Sequence, residues 1–535
     1  MPSLPIGADR VFWGGPIVTL DPALPLAEAL AVRDGRIVAV GTRDEVKPWV
    51  APRAELVDLG GAALLPGFVE SHNHLIMHGV SLGRLDASPA ACPSIADVVA
   101  RVREEAARTP AGAWVRGRGY DDTLVREKRA LGRADLDAVA APVYIGHISG
   151  HLAYVNSAAL ALAGIDGRTA DPEGGHIVRD AAGEPTGELH ETATGLVGRL
   201  LPSETYEETL AAAWRGAAAF AKVGITSAQD VSLGIRSHHF RVYEAVAREP
   251  GYPLRVVGFP VIGWREHLPV HTGFGDDRFR LGALKIISDG SIQGYTASLR
   301  RPYHDRPDTR GIQVVAPERL RELVGQAHAA GFQIAIHTNG DQAIEYALDA
   351  FEAALAEHPR PDHRHRLEHC QTATEADLAR MARLGVCASF FINHVWYWGD
   401  RHRDLFLGPE RAARIDPLAS ALRHGIPFGL HCDAPVTPPD PLRSIWTAVT
   451  RRTRDGQVLG PEERIPVEAA LRAYTVDAAY LAFEEHLKGT LEVGKLADFC
   501  LLSASPLAVE PDAIAEIRVL GTVLGGRDVA VGGAA

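Results

Sequence analysis

The chain has 535 residues, room for several small domains or for one barrel with insertions. Its 67 acidic against 55 basic side chains give a net charge of −12, which argues against a nucleic-acid surface. Five cysteines form no CxxC pair and leave one over, no basic-then-apolar leader opens the chain, and no apolar run reaches the ~18 residues of a membrane span, so a soluble, reduced, cytoplasmic protein without a membrane partner is expected.

Residues 10–65 read as short strands with turns: RVFWGGPIVTL, then LAVRDGRIVAVG around an Asp-Gly hairpin, then AELVDLGG. The closing segments KGTLEVGKLADFCLLSA and IAEIRVLGTVLGG are of the same type. Two β segments at opposite ends of a chain can pair into one small domain, here 1–62 with 485–535.

Between them, in 63–484, the pattern becomes strand, helix, strand. Candidate strands are 63–72, 225–231, 254–262, 283–290, 333–339, 365–371, 386–393 and 426–434. Helical stretches such as TLAAAWRGAAAFAKVG, PERLRELVGQAHAAG and DQAIEYALDAFEAALAEH separate several of them. Eight apolar strands with helical crossovers predict an α/β fold of the (β/α)8 TIM-barrel type, with functional residues at the C-terminal strand ends. The gap after the first strand is too long for one βα unit. Residues 84–200 carry a helix (SIADVVARVREEAAR), a strand (PVYIGHISGHL) and a hairpin (GGHIVRDAAGEPTGEL), an α+β insertion expected to cap the barrel mouth.

Five of the eight strands carry a potential metal ligand at or near that end: His72 and His74, Lys285, His337, His369 and Asp433. His, Asp and a modified Lys suit a one- or two-zinc hydrolytic site. His72 and His74 are two apart, so a strand points both to one face. Lysine is sparse, six of the 55 basic residues, yet Lys285 sits within LGALKII, where a charged ammonium is costly. Burial frees a neutral amine that can take up carbon dioxide as a carbamate, N6-carboxylysine, whose two oxygens could bridge two metals; a buried Lys–Asp pair is the alternative. Asp433 has two candidate roles, metal ligand and base toward the attacking water. Cys370 and Cys432 directly follow histidines and should face away. His151, His394, Trp396 and Trp398, with Gln293 and Tyr295 after the SDGS turn, are candidate substrate contacts.

Together PGFVESHNH, GHLAYVNSAAL, LKIISDGSIQGYTA, HTNGDQAI, LEHCQ, NHVWYWGD and GTLEVGKLADFCLL resemble, in order, the amidohydrolase superfamily and its amidohydrolase-3 or YtcJ-like branch, which includes N-substituted formamide deformylases. The resemblance implies a metal-binding barrel with a small β-sandwich built from both termini. It also implies that His72, His74 and Asp433 hold one metal, and that carboxylated Lys285 bridges to a second on His337 and His369. A metal-bound hydroxide would then attack a carbonyl, with Asp433 passing the proton to the leaving amine. One departure is Cys432, where Ser or Thr commonly precedes the final aspartate. The expected activity is hydrolysis of a C–N bond in a small, partly apolar amide. Ester or carbamate hydrolysis and a lyase or retro-aldol step on the same metals are the rivals. Deamination falls behind, because Thr338, Asn339 and Gly340 follow His337 without the glutamate of the single-metal deaminases. A homodimer is the default oligomer.

Overall fold

The computed structural model describes residues 7–529. Strands from both ends of the chain form one eight-stranded sheet in which Phe499–Leu502 pairs antiparallel with Ala63–Pro66, and Ala63–Pro66 pairs in turn with Arg10–Val18. The Asp-Gly hairpin forms between Leu26–Arg33 and Arg36–Gly41, with Asp34 and Gly35 both at positive φ, the backbone a two-residue turn needs to match the strand twist. Ala63–Pro66 belongs to this sheet, so the chain passes from it into the barrel at Gly67 rather than at residue 63.

The barrel strands are β1 Phe68–Asn73, β2 Ile225–Leu233, β3 Arg255–Pro260, β4 Leu284–Ile287, β5 Ile334–Thr338, β6 Arg366–His369, β7 Cys387–Phe390 and β8 Phe428–Leu430. All their pairings are parallel: β1 to β2 to β3, and β4 through β8. A parallel bridge between Val261 and Lys285 links β3 to β4. Between β8 and β1, the Ser71 hydroxyl donates to the Leu430 carbonyl and the His74 amide to the Ala434 carbonyl, closing the ring. Strands covered on both faces read as nearly continuous apolar runs, which is why they were visible in the sequence. The three expected helices are Tyr206–Ala221, Pro317–Ala329 and Asp341–Glu357. The first is held at its start by a capping box of Thr205 and Glu208.

The insertion after β1 builds its own six-stranded sheet, covered by the helix Ile95–Arg108 over a core that includes Val98, Val102, Val115, Leu136 and Val143. The segment PVYIGHISGHL does not form the single strand expected of it. It is two antiparallel strands, Val143–His147 and Leu152–Val155, because the chain reverses at Gly150, whose φ of +76° admits the turn.

Terminal sheet and barrel are joined by a buried bidentate ion pair. Arg255, the first residue of β3, donates from Nε and Nη2 to Asp498 at 2.7 and 3.1 Å. Removing one partner would leave an uncompensated buried charge. Asp498→Ala is therefore expected to destabilise the protein by about 3 kcal/mol, read from chemical denaturation. A change under about 1 kcal/mol would mean that Asp277, 3.3 Å from Arg255, suffices to hold the joint.

Candidate metal centre

The C-terminal strand ends gather the expected ligands at one place. His72 ends inside β1 and His74 just beyond it, Lys285 lies in β4, His337 in β5, His369 at the end of β6, and Asp433 three residues past β8. His369 (φ 66°) and Asp433 (φ 54°) occupy the left-handed region, which turns their side chains inward at a conformational cost.

The His72 ring is fixed from below. Its Nδ1 meets Glu368 Oε2, and Glu368 in turn receives Nε and Nη2 of Arg366; His72, Glu368 and Arg366 are all buried. That contact leaves Nε2 facing the site. Asp433 Oδ1 lies 3.4 Å from His72 Nε2 and 3.4 Å from His74 Nε2, and has no hydrogen-bond partner. On the other side, His337 Nε2 is engaged by the Gly290 carbonyl and Asn339 Nδ2, leaving Nδ1 at 3.0 Å from His369 Nε2.

The Nζ of Lys285 is buried and, among the described residues, has no hydrogen-bond partner and forms no ion pair with an aspartate, so the Lys–Asp alternative is not realised there. Burial pushes this amine down to about 8, against the pull of Glu368 and Asp433. Burial also holds His72, His337 and His369 well below the ordinary imidazole value, so these rings are neutral and competent as ligands at neutral pH. Burial opposes ionisation of Asp433, but His72 and His74 outweigh it and keep the carboxyl below its usual range. Convergent nitrogens, an orphaned carboxylate oxygen and an orphaned amine form a donor set that fits divalent cations.

Two further residues, outside the ligand set expected from the sequence, stand beside it. His431 stacks on His72 with centroids 4.7 Å apart, and its Nε2 lies 3.2 Å from His369 Nδ1. Its signal was available: His431 and Asp433 repeat the two-residue spacing of His72 and His74. Glu368 is the other. Cys370 and Cys432 face away, against Met381 and Tyr474 respectively.

Of the candidate substrate contacts, His151 stands nearest, its ring 5.0 Å from that of His337. Gln293 is buried with Oε1 unpartnered. His394 lies 6.3 Å from His369 ring to ring and meets Asp416. The other three are engaged elsewhere. Tyr295 donates to Asp305 and lies under Arg306, and Trp396 packs on Trp446 beside Arg443. Trp398 is buried and donates to Asp121 of the insertion, so it ties cap to barrel. A cleft of about 560 Å³ lies far from this chemistry, between the terminal sheet and the barrel foot, where Arg10, Arg36 and Arg278 line it.

The profile of a family described as "Amidohydrolase family" matches residues 55–530. The chain is 34% identical to "Putative amidohydrolase YtcJ" of Bacillus subtilis (strain 168) over 97% of its length and 99% of that protein. It is 30% identical to "N-substituted formamide deformylase" of Arthrobacter pascens over 97% of each. A crystal structure of an uncharacterized metal-dependent hydrolase from Pyrococcus horikoshii OT3 superposes with a TM-score of 0.76 at 25% identity, covering 94% of this chain and 99% of that one.

Glu368→Gln keeps the volume but weakens the hold on His72. Metal affinity is expected to fall about 10- to 100-fold, measured by competition with a chelator. Unchanged affinity would show that the strand alone orients the ring.

Proposed function

The chain belongs to the amidohydrolase family of metal-dependent hydrolases that act on C–N bonds, and from that premise we propose that it cleaves a small N-substituted amide, with N-substituted formamides as the nearest model. The reading is carried by one observation: an unpaired, buried Lys285 amine placed among two histidine sets and an orphaned aspartate oxygen. The full-length likeness to a relative named for formamide deformylation supports the substrate class.

His72, His74 and Asp433 would hold one divalent ion, zinc being the natural choice for this donor set, and His337 and His369 a second. Lys285 would join them as a carbamate, formed when the neutral amine adds to carbon dioxide and releases a proton. The bound ions would supply an activated water and polarise the scissile carbonyl. The Asp433 carboxylate, buried at the site, would accept the proton of the attacking water and return it to the amine nitrogen as the C–N bond breaks. Formic acid and an amine leave, so one water is consumed per amide.

Three outcomes follow. Protein purified with zinc and bicarbonate should carry about two ions per chain and release formate from N-substituted formamides; a replete protein that hydrolyses no amide in a broad panel contradicts the proposal. Asp433→Asn should lower kcat at least about 100-fold. Reactivation of metal-stripped protein by bicarbonate and zinc should rise as pH rises through about 8, because only the neutral Lys285 amine captures carbon dioxide. Reactivation indifferent to bicarbonate, or highest below pH 7, would count against the carbamate.

A further inference from the structure

The insertion reaches the metal centre with one pair of side chains. His151, at the start of the strand Leu152–Val155, places Nδ1 2.9 Å from Glu191 Oε2, at the end of the strand Pro185–Glu191. The backbone ties the same two residues, since the Glu191 amide donates to the His151 carbonyl at 2.8 Å. Glu191 is buried and holds a φ of +48°, a conformation that a non-glycine residue keeps only where its surroundings enforce it. Part of that enforcement comes from the barrel. A Cβ on Gly290 would stand 2.1 Å from Glu191 Oε1 and 2.6 Å from Thr296 Cβ, so Glu191 of the cap packs directly on a glycine that has no room for a side chain. Gly290 is also the residue whose carbonyl meets His337.

With Nδ1 committed to a carboxylate, His151 has one ring nitrogen, Nε2, left for other partners. The ring lies 5.0 Å from that of His337 and its side chain is 15% exposed, against 25% for His74 and 9% for Asp433. It is thus one of the more open groups around a closed site, and no metal-ligand cluster among the described residues includes it. We infer that the cap completes the active site: His151 contacts the polar amide group of the substrate through Nε2, and Glu191 is its positioning residue. The inference rests on the amide-hydrolase reading and adds to it that substrate is held between barrel metals and cap. The insertion therefore contributes to turnover as well as covering the mouth.

The test is a double-mutant cycle on metal-replete full-length protein, with metal content per chain and melting temperature measured for every variant. His151→Leu should lower kcat/KM on an N-substituted formamide about 100-fold while metal content stays at the wild-type level. His151→Gln, which restores a polar atom, should recover about tenfold of that loss. Glu191→Gln should cost about tenfold alone but less than about twofold in the H151L background, because a positioning residue has nothing left to position. Metal loss in step with activity would make His151 a ligand and overturn the inference. Independent, additive effects of the two substitutions would overturn it as well, as would full activity of H151L. If the wild type cleaves no amide, the substrate reading fails separately. The same cycle read as calorimetric binding of acetohydroxamate then decides the dyad: weaker binding with the same non-additivity supports it, and unchanged affinity overturns it.

Discussion

A row of charge buried in the barrel interior constrains everything above it. Arg366 and Glu368 alternate along β6 onto one face, with both side chains fully buried, and the Arg366 guanidinium also reaches Gln229 and the Ser71 carbonyl. Burying a carboxylate and a guanidinium costs several kcal/mol per ion, recovered only when every polar atom is matched. Here the matching ties β6 to β1 and β2, and the last link is the Nδ1 of His72. A barrel that closes in another register keeps the Arg366–Glu368 pair, which lies within one strand, but loses its buried partners on Gln229, Ser71 and His72. The same interaction that selects the register aims His72 Nε2 at Asp433.

The chemistry above this floor is divided between two parts of the chain. The barrel supplies Lys285 from within β4 and the other five expected ligands and His431 from at or just beyond strand ends, where parallel packing fixes the backbone within a small volume. The insertion stands on its own hydrophobic core and meets the barrel through polar contacts that include Trp398 and Arg401 on Asp121 and Arg401 on Thr123, and through the close packing of Glu191 on Gly290. A separately stabilised cap can change its side chains without disturbing the metal ligands. That separation suits a fold in which metal chemistry and substrate choice vary independently.

Much of this was legible in the sequence, for definite reasons. Most of the eight strands showed as runs rich in buried apolar residues, and most of the ligands showed because His and Asp stand near the ends of those runs. The rest followed geometry that alternation does not describe. Glu368 and His369 are neighbours, so a regular strand would send them to opposite faces. Both reach the site because His369 adopts a positive φ and swings inward, and Asp433 does the same after β8. The aromatic run Trp396–Trp398 advertised a pocket by composition, but its helix, Asn393–Arg401, directs Trp396 to Trp446 and Trp398 to Asp121. Composition gave the residue types and could not give their directions.

The proposed function asks this arrangement of side chains to hold two divalent ions with Lys285 between them. Anomalous diffraction at the zinc edge, from crystals grown with zinc and bicarbonate, tests it most directly. Two peaks are expected, one among His72, His74 and Asp433 and one between His337 and His369, with added density on Lys285 Nζ reaching both. A single peak with an unmodified Lys285 would contradict it.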